Sequence, residues 1–311
     1  MALRWLTALT CGGMLLVLVM GAAVTNTGSA EGCGRSWPLC NGQFVPEFTV
    51  ATAIEYSHRA VTGLETMLVL ALSAAMLLLW RRQREVVVLA VLMLGTLFLQ
   101  AGLGAGAVLF PQSPLMLATH FGVSLVAFAS TFLSAAVVFE LTGSPRQLRA
   151  APHGFRNAVV LVTVYVLGVV YLGAYVRHAG VSLACVDWPL CNGQVIPPLD
   201  GPTGVVFAHR VAALGAIGLL GWLAAASRRA EVGATAAAWA FGLCILQALS
   251  GALVVWTLLG LFSTLLHAAL MGMLFAMLAY VLRLALAPPD SSDPCPVTED
   301  ALRTPQTVAN L

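Results

Sequence analysis

Eight runs of about 20 apolar residues, each long enough to cross a hydrocarbon core of roughly 30 Å as a helix, leave this chain few ways to fold. They lie near 7–27, 52–80, 86–110, 115–140, 158–177, 204–226, 234–258 and 262–287. Only 9% of the 311 residues are charged and the mean hydropathy is +0.91, so the polar surface of a soluble domain cannot be assembled. The expected class is an all-α integral membrane protein whose solvent is the lipid bilayer. Its 15 basic residues, all arginine, offset 13 acids for a net charge of +2, which excludes a nucleic-acid partner.

The arginines orient the spans. Arg4 precedes the first; Arg81, Arg82 and Arg84 follow the second; Arg146, Arg149 and Arg156 follow the fourth; Arg228 and Arg229 follow the sixth. The positive-inside tendency places those joints and both termini in the cytoplasm, and the Gly-, Pro- and Cys-bearing loops at 28–51 and 178–203 outside. The expected location is the cell membrane, crossed several times. Residues 288–311, where Pro, Ser, Asp and Glu replace apolar runs, read as a disordered cytoplasmic tail. Met1 to Ala23 also fits a secretory leader. A counterpart segment in mid-chain favours a first span.

That counterpart belongs to a tandem repeat. Trp37-Pro38-Leu39-Cys40-Asn41-Gly42-Gln43 recurs as Trp188-Pro189-Leu190-Cys191-Asn192-Gly193-Gln194, an offset of 151 residues. Pro46 and His58-Arg59 answer Pro197 and His209-Arg210 at the same offset. Gly21 and Gly28 answer Gly173 and Gly180 at 152, and Gln100, Gly104 and His120 answer Gln247, Gly251 and His267 at 147. Each half holds four spans, an even number, so the halves start on the same side. The expected architecture is two parallel four-helix-bundle repeats, related by a pseudo-twofold axis along the membrane normal. Residues 1–141 form the first, 142–157 a cytoplasmic linker and 158–287 the second.

In each half one histidine lies about two turns into the second span, His58 or His209, and one about six residues into the fourth, His120 or His267. At 1.5 Å rise per residue they reach similar depths from the outer face. Facing imidazoles form an axial pair for a haem iron without burying net protein charge. A lone intramembrane histidine is more simply an interhelical hydrogen bond, but four matched ones favour haem. Zinc is less attractive, since no further ligands stand at suitable spacing. His153 and His178 have no repeat partner and receive no role.

Arg59 and Arg210 directly follow ligand-candidate histidines. They are candidates for binding haem propionates at the outer rim, or else they snorkel to the headgroups. Cys33 with Cys40 and Cys185 with Cys191 lie in outer loops, where an oxidising compartment implies two intraloop disulfides. Structural staples and redox-active relays are both open readings. Cys11 and Cys244 read as small apolar helix residues and Cys295 as a cytoplasmic thiol.

The halves differ at Glu55-Tyr56-Ser57-His58, which answers Val206-Phe207-Ala208-His209. Glu55, one turn from His58, would touch the edge of a haem there and can accept a proton or stabilise positive charge. A helix-start residue favoured by the macrodipole is the plainer alternative. Glu65, whose counterpart is Ala216, pairs with a neighbouring helix or carries protons. The asymmetry assigns a permanent electron-transfer haem to the second half and a reacting substrate to the first.

The combination of Gly28-Ser29 through Cys33, Trp37-Pro38-Leu39-Cys40, Glu55-Tyr56-Ser57-His58-Arg59, Thr119-His120 and their echoes resembles haem A synthase, of the bacterial type with a Cys pair in each half. The resemblance implies an enzyme oxidising the methyl group of haem O to the formyl group of haem A by successive hydroxylations, for terminal oxidases. It implies His209 and His267 as ligands of haem B, His58 and His120 as the substrate-haem pair, and Glu55 as catalytic acid or base. Haem O synthase is a candidate partner in substrate delivery, and the electron acceptor is not specified. Two rivals stay open: a quinol-linked bis-His cytochrome that only passes electrons, and a membrane thiol-disulfide oxidoreductase. A haem transporter is a third.

Overall fold

The computed structural model describes residues 1–143 and 150–287. The expected tail with Cys295, and Arg146 and Arg149 of the joint, lie outside the described residues. Among the described residues there are eight helices, α1 (Ala2–Asn26), α2 (Val50–Trp80), α3 (Arg84–Leu109), α4 (Pro114–Leu141), α5 (His153–His178), α6 (Gly201–Ala230), α7 (Ala234–Trp256) and α8 (Leu261–Ala285), and all are long and apolar enough to cross a membrane. Two begin five residues earlier than their apolar runs. α1 takes in Arg4, and α5 takes in His153, Arg156 and Asn157 from the expected linker. Hydropathy marks the hydrocarbon core, whereas backbone hydrogen bonding carries a helix beyond it.

The helices start where side chains can meet free backbone N–H groups. Thr49 caps α2 by accepting from the Thr52 N–H at 3.2 Å, and Ser113 caps α4 by accepting from Met116, with Pro114 in the first turn. In sequence order α1 to α4 close on themselves, with α1 touching α2 and α4, and α3 touching the same two. α5 to α8 repeat that ring. Between the rings the most closely packed pairs are α1 with α8, α4 with α5, and α4 with α8. Advancing every helix by four maps the first of these onto the second and the third onto itself.

The centre of the molecule is therefore α4 against α8. Of the most apolar 18-residue stretch of each helix, 56% is buried in α4 and 50% in α8, against 22–39% in the other six. Lipid offers no hydrophobic drive for helix association, so small residues that allow close backbone approach decide the contact. α4 buries Ala118, Gly122, Ala127, Ala129, Ser130, Thr131 and Ser134. The three hydroxyls donate to carbonyls of their own helix at 2.7–2.8 Å, so none is buried without an acceptor. Gly272 of α8 sits against Leu15, Leu18 and Phe128. Large exposed side chains such as Leu64, Met67, Leu78, Phe98 and Leu214 form the face that lipid would cover.

At the end away from the Cys loops, Arg283 of α8 donates to Glu140 of α4 at 2.6 Å and to Glu85 of α3 at 2.6 Å. Its guanidinium also stacks near the Tyr280 ring. One cation thus fastens the second half to two helices of the first.

Candidate functional site

The four repeated histidines occupy matching registers. His58 and His209 are each eight residues beyond the first residue of α2 and α6, and His120 and His267 each six beyond the first residue of α4 and α8. That places them roughly 9–12 Å into their helices from the Cys-loop end. The two histidines of each half therefore stand at similar depths, on helices that run in the same direction.

Each imidazole leans on a glycine of the neighbouring helix. A Cβ at Gly21 would stand 3.4 Å from Cε1 of His58, at Gly104 3.5 Å from that of His120, at Gly173 2.6 Å from that of His209, and at Gly251 3.3 Å from that of His267. Gly21, Gly104, Gly173 and Gly251, which recur between the halves, are the seats of the histidine rings. This role is invisible in sequence, because it joins α1 to α2, α3 to α4, α5 to α6 and α7 to α8 only after packing.

Polar support differs between the sites. Nδ1 of His58, His120 and His209 is buried with no hydrogen-bond partner. His267 has Ser250 Oγ at 2.8 Å from Nδ1 and Gln247 Nε2 at 3.1 Å from its own Nε2. Ser250 can fix the ring's tautomer and leave Nε2 as the lone-pair nitrogen, which the Gln247 amide caps. The equivalent Gln100 turns to the His120 carbonyl, 3.1 Å, and to Ser124. Paired imidazoles with orphaned buried nitrogens fit a metalloporphyrin, which brings four in-plane ligands and asks two of the protein. No group of three or more His, Cys, Asp or Glu that could hold a bare metal ion occurs among the described residues.

Above the histidines lie the Cys loops. Cys33–Cys40 and Cys185–Cys191 are disulfides, with Cα–Cα separations of 4.5 and 4.6 Å. After the second cysteine of each pair, Asn41-Gly42 and Asn192-Gly193 turn the chain with positive φ at both residues, so that Cys40 pairs with Gln43 and Cys191 with Gln194. Asn-Gly is the residue pair such a two-residue turn favours, a local signal that was readable in both loops.

Arg59 and Arg210, the propionate candidates, both donate to these loops. Arg59 Nη1 reaches the carbonyls of Ser36 and Leu39 at 2.8 and 2.9 Å, and Arg210 reaches those of Leu190 and Cys185 at 2.5 and 3.1 Å. A loop carbonyl has no side-chain identity, so this clamp left no mark in the sequence. Glu55 is 4% exposed. Its Oε1 accepts from Arg59 Nη2 at 2.5 Å and its Oε2 from the Cys33 backbone N–H at 2.7 Å. In the second half, Val206 replaces it and packs with Val176 on the Cys185–Cys191 pair. The acid there is Asp187, out in the loop, which accepts from the N–H groups of Gly193 and Asn192 at 2.7 and 2.5 Å. Those N–H donors, Gly193 foremost, hold the Asp187 carboxyl below the usual range, with slight desolvation opposing them.

Glu65 is 3% exposed, and its carboxyl group lies against Gly13 of α1. Oε1 has no hydrogen-bond partner among the described residues. His153 stays at the far end beside Arg156, and His178 ends α5 near the Cys loops.

Residues 45–279 match the family of cytochrome oxidase assembly proteins. The chain is 41% identical over 301 residues to a protein named heme A synthase in Symbiobacterium thermophilum, covering 92% of this chain and 96% of that one. It is 42% identical over 297 residues to one in Geobacillus kaustophilus, covering 92% of each, and 37% identical over 291 residues to one in Alkalihalophilus pseudofirmus, covering 92% and 98%.

Proposed function

The chain belongs to the cytochrome oxidase assembly protein family, and from that premise we propose that it is a haem A synthase: a membrane oxidoreductase converting the methyl group of haem O to the formyl group of haem A. The observation that carries the reading is the four seated imidazoles with an acid beside only one pair. The two helix rings act as parallel repeats about a pseudo-twofold axis, a reading supported by the contacts that map onto themselves between halves. Residues 1–141 hold the substrate and residues 158–287 a permanent haem B. The termini face the cytoplasm and the Cys loops face outwards, on the strength of the arginines at the opposite joints.

In this reading His58 and His120 grip haem O, and its apolar macrocycle reaches them from lipid. His209 and His267 hold haem B, which supplies one-electron chemistry when bound. Each hydroxylation of the methyl group with water as oxygen source releases two protons, and two electrons that pass to an external electron acceptor. Glu55, one turn above His58 and fixed by Arg59 and the Cys33 N–H, is the group placed to receive a proton. Arg59 and Arg210 stand at the rims of the two pockets, where they can share a donor with a porphyrin carboxylate while keeping the loops closed. The first Cys loop holds Glu55 in place through the Cys33 N–H. Haem O synthase is the proposed source of substrate.

The test is to express the chain with a supply of haem O, extract the pigments and separate them. Haem A or a hydroxylated precursor is expected, and His58→Ala or His120→Ala abolishes it. Recovery of haem B with unaltered haem O would reduce the protein to a cytochrome or a carrier. His209→Ala or His267→Ala is expected to remove the tightly held haem B. Full pigment in all four variants would end the reading.

A further inference from the structure

Arg177, next to last in α5 and half-buried, differs from Arg59 and Arg283 in what neutralises it. Arg59 pairs with Glu55, and Arg283 with Glu85 and Glu140. Arg177 gives Nε and Nη2 to the side-chain oxygen of Asn26, at 2.9 and 2.6 Å, and Nη2 also to the Thr25 carbonyl at 3.5 Å. All these acceptors are neutral, and among the described residues no carboxylate pairs with it. A guanidinium at the membrane face is costly unless it reaches water or an anion. Asn26 holds this one inwards, across the seam between the halves, rather than letting it extend to the headgroups.

Its neighbour His178 lies nearer the Cys-loop end than the first pair of histidines. Tyr171 of α5 packs so closely on Gly122 of α4 that a Cβ there would be 2.5 Å from the ring Cζ. His178 follows Tyr171 by seven residues, two turns along the same face of α5. α4 descends from the Cys-loop end while α5 climbs towards it, so His178 is about 10 Å nearer that end than Gly122, and His120 about 3 Å nearer. His178 therefore stands about 7 Å nearer that end than His120, and Asn26, which holds Arg177, stands five residues of α1, about 7.5 Å, nearer it than Gly21, the seat of His58. A porphyrin held between imidazoles of α2 and α4 would extend an edge towards that end.

The repeat makes the arrangement one-sided. At an offset of 152, Arg177 and His178 answer Thr25 and Asn26, so the second pair of histidines has an uncharged counterpart. We infer that Arg177 and His178 form an anion-receiving lip on the first pocket that takes a propionate carboxylate of the substrate porphyrin, making that pocket a composite of both halves. The inference rests on the proposal that haem O binds between His58 and His120. A carboxylate at Arg59 would compete with Glu55, whereas at Arg177 it meets a cation with no acid of its own. Arg35, in a cleft of about 340 Å³ between the first Cys loop and the α3–α4 turn, is exposed and lies outside the helix bundle.

The test is an absorbance titration of the full-length protein in detergent with haem O and with its dimethyl ester. The wild type is expected to prefer the free acid by roughly ten- to a hundredfold, the range of a charge-assisted hydrogen bond. Arg177→Leu should bind acid and ester alike, Arg177→Lys should keep part of the preference, and His178→Asn should lower it less than Arg177→Leu. Unchanged haem B content and thermal midpoint show that the variants fold. A wild-type preference that survives in Arg177→Leu, or vanishes instead in Arg35→Gln, overturns the lip and leaves the haem O reading standing. A wild type that binds both forms equally does the same. A wild type that binds neither overturns both.

Discussion

Glu55 Oε2 accepts the backbone N–H of Cys33 at 2.7 Å, so the acid of α2 and the first disulfide loop move as one unit. Glu55→Gln keeps an acceptor for Cys33 but can neither take a proton nor pair with Arg59. Turnover is expected to fall about 10²- to 10⁴-fold, the usual range for losing general acid–base help, with haem content unchanged. Glu55→Ala also strands the Cys33 N–H in a buried place, at about 1–3 kcal/mol, and should lower the thermal midpoint as well. A Glu55→Gln enzyme that turns over at the wild-type rate removes Glu55 from the chemistry.

Opening the first disulfide should resemble losing Glu55, because Arg59 and Glu55 both hang from the loop that it closes. The second disulfide holds no acid of α6: Val206 packs on its cysteines, and Asp187 binds only the turn of its own loop. Cys33→Ala with Cys40→Ala is therefore expected to reduce turnover at least tenfold more than Cys185→Ala with Cys191→Ala, at similar haem B content. Equal losses from both pairs would separate the disulfide from the acid.

The histidine seats predict a graded series. Gly173→Ala places a methyl group 2.6 Å from His209 Cε1, where the ring must shift, whereas Gly104→Ala places one 3.5 Å from His120, an ordinary contact. Overpacking of the first kind costs about 1–3 kcal/mol. Gly173→Ala is expected to lose haem B or broaden its spectrum, and Gly104→Ala to keep near-normal pigment. Pigment-to-protein ratios of the purified variants check the order.

The spans and the histidine registers were legible because both follow from spacing along one helix, which sequence displays directly. The helix ends were not, since Arg4 and Arg156 continue their helices past the apolar run. His178 has no repeat identity, and only the packing of Tyr171 on Gly122 sets its height relative to His120. The glycines at 21, 104, 173 and 251 were visible as repeats, but their purpose is a contact between different helices. Arg59 and Arg210 were marked by the cost of their charge. Their acceptors are loop carbonyls, whose position depends on a turn and a disulfide rather than on any residue type.

Arg283 should matter for assembly of the halves rather than for chemistry. It is 7% exposed and holds Glu140, 20% exposed, and Glu85, 43% exposed. Arg283→Met leaves Glu140 without its cation at a partly buried site. The expected destabilisation lies towards the lower end of the roughly 3–5 kcal/mol seen when one member of a buried pair is removed, since Glu85 remains solvated. The double variant Arg283→Met with Glu140→Gln should regain part of that loss. Thermal midpoints in one detergent measure both, and turnover per bound haem should stay at the wild-type value.

Asp187 predicts how the second loop responds to acid. Hydrogen bonds from the Gly193 and Asn192 N–H groups lower its folded-state value, so it favours the folded loop at any pH above the ordinary carboxylate range, near about 3.9. That contribution is complete at pH 7 and disappears as the pH falls through the lowered, folded value. The Asn192-Gly193 turn should therefore hold its N–H contacts down to below about pH 4 and then loosen. Asn41-Gly42 has the hydroxyl of Ser36 in the matching place, where Ser36 Oγ accepts from Gly42 at 3.3 Å, and should show no such transition. Following the Gly193 and Gly42 amide resonances from pH 7 to pH 3 separates the two turns. A Gly193 resonance that moves with a midpoint at or above the free carboxylate value contradicts the assigned hydrogen bonds, as does an Asp187→Asn variant that titrates like the wild type.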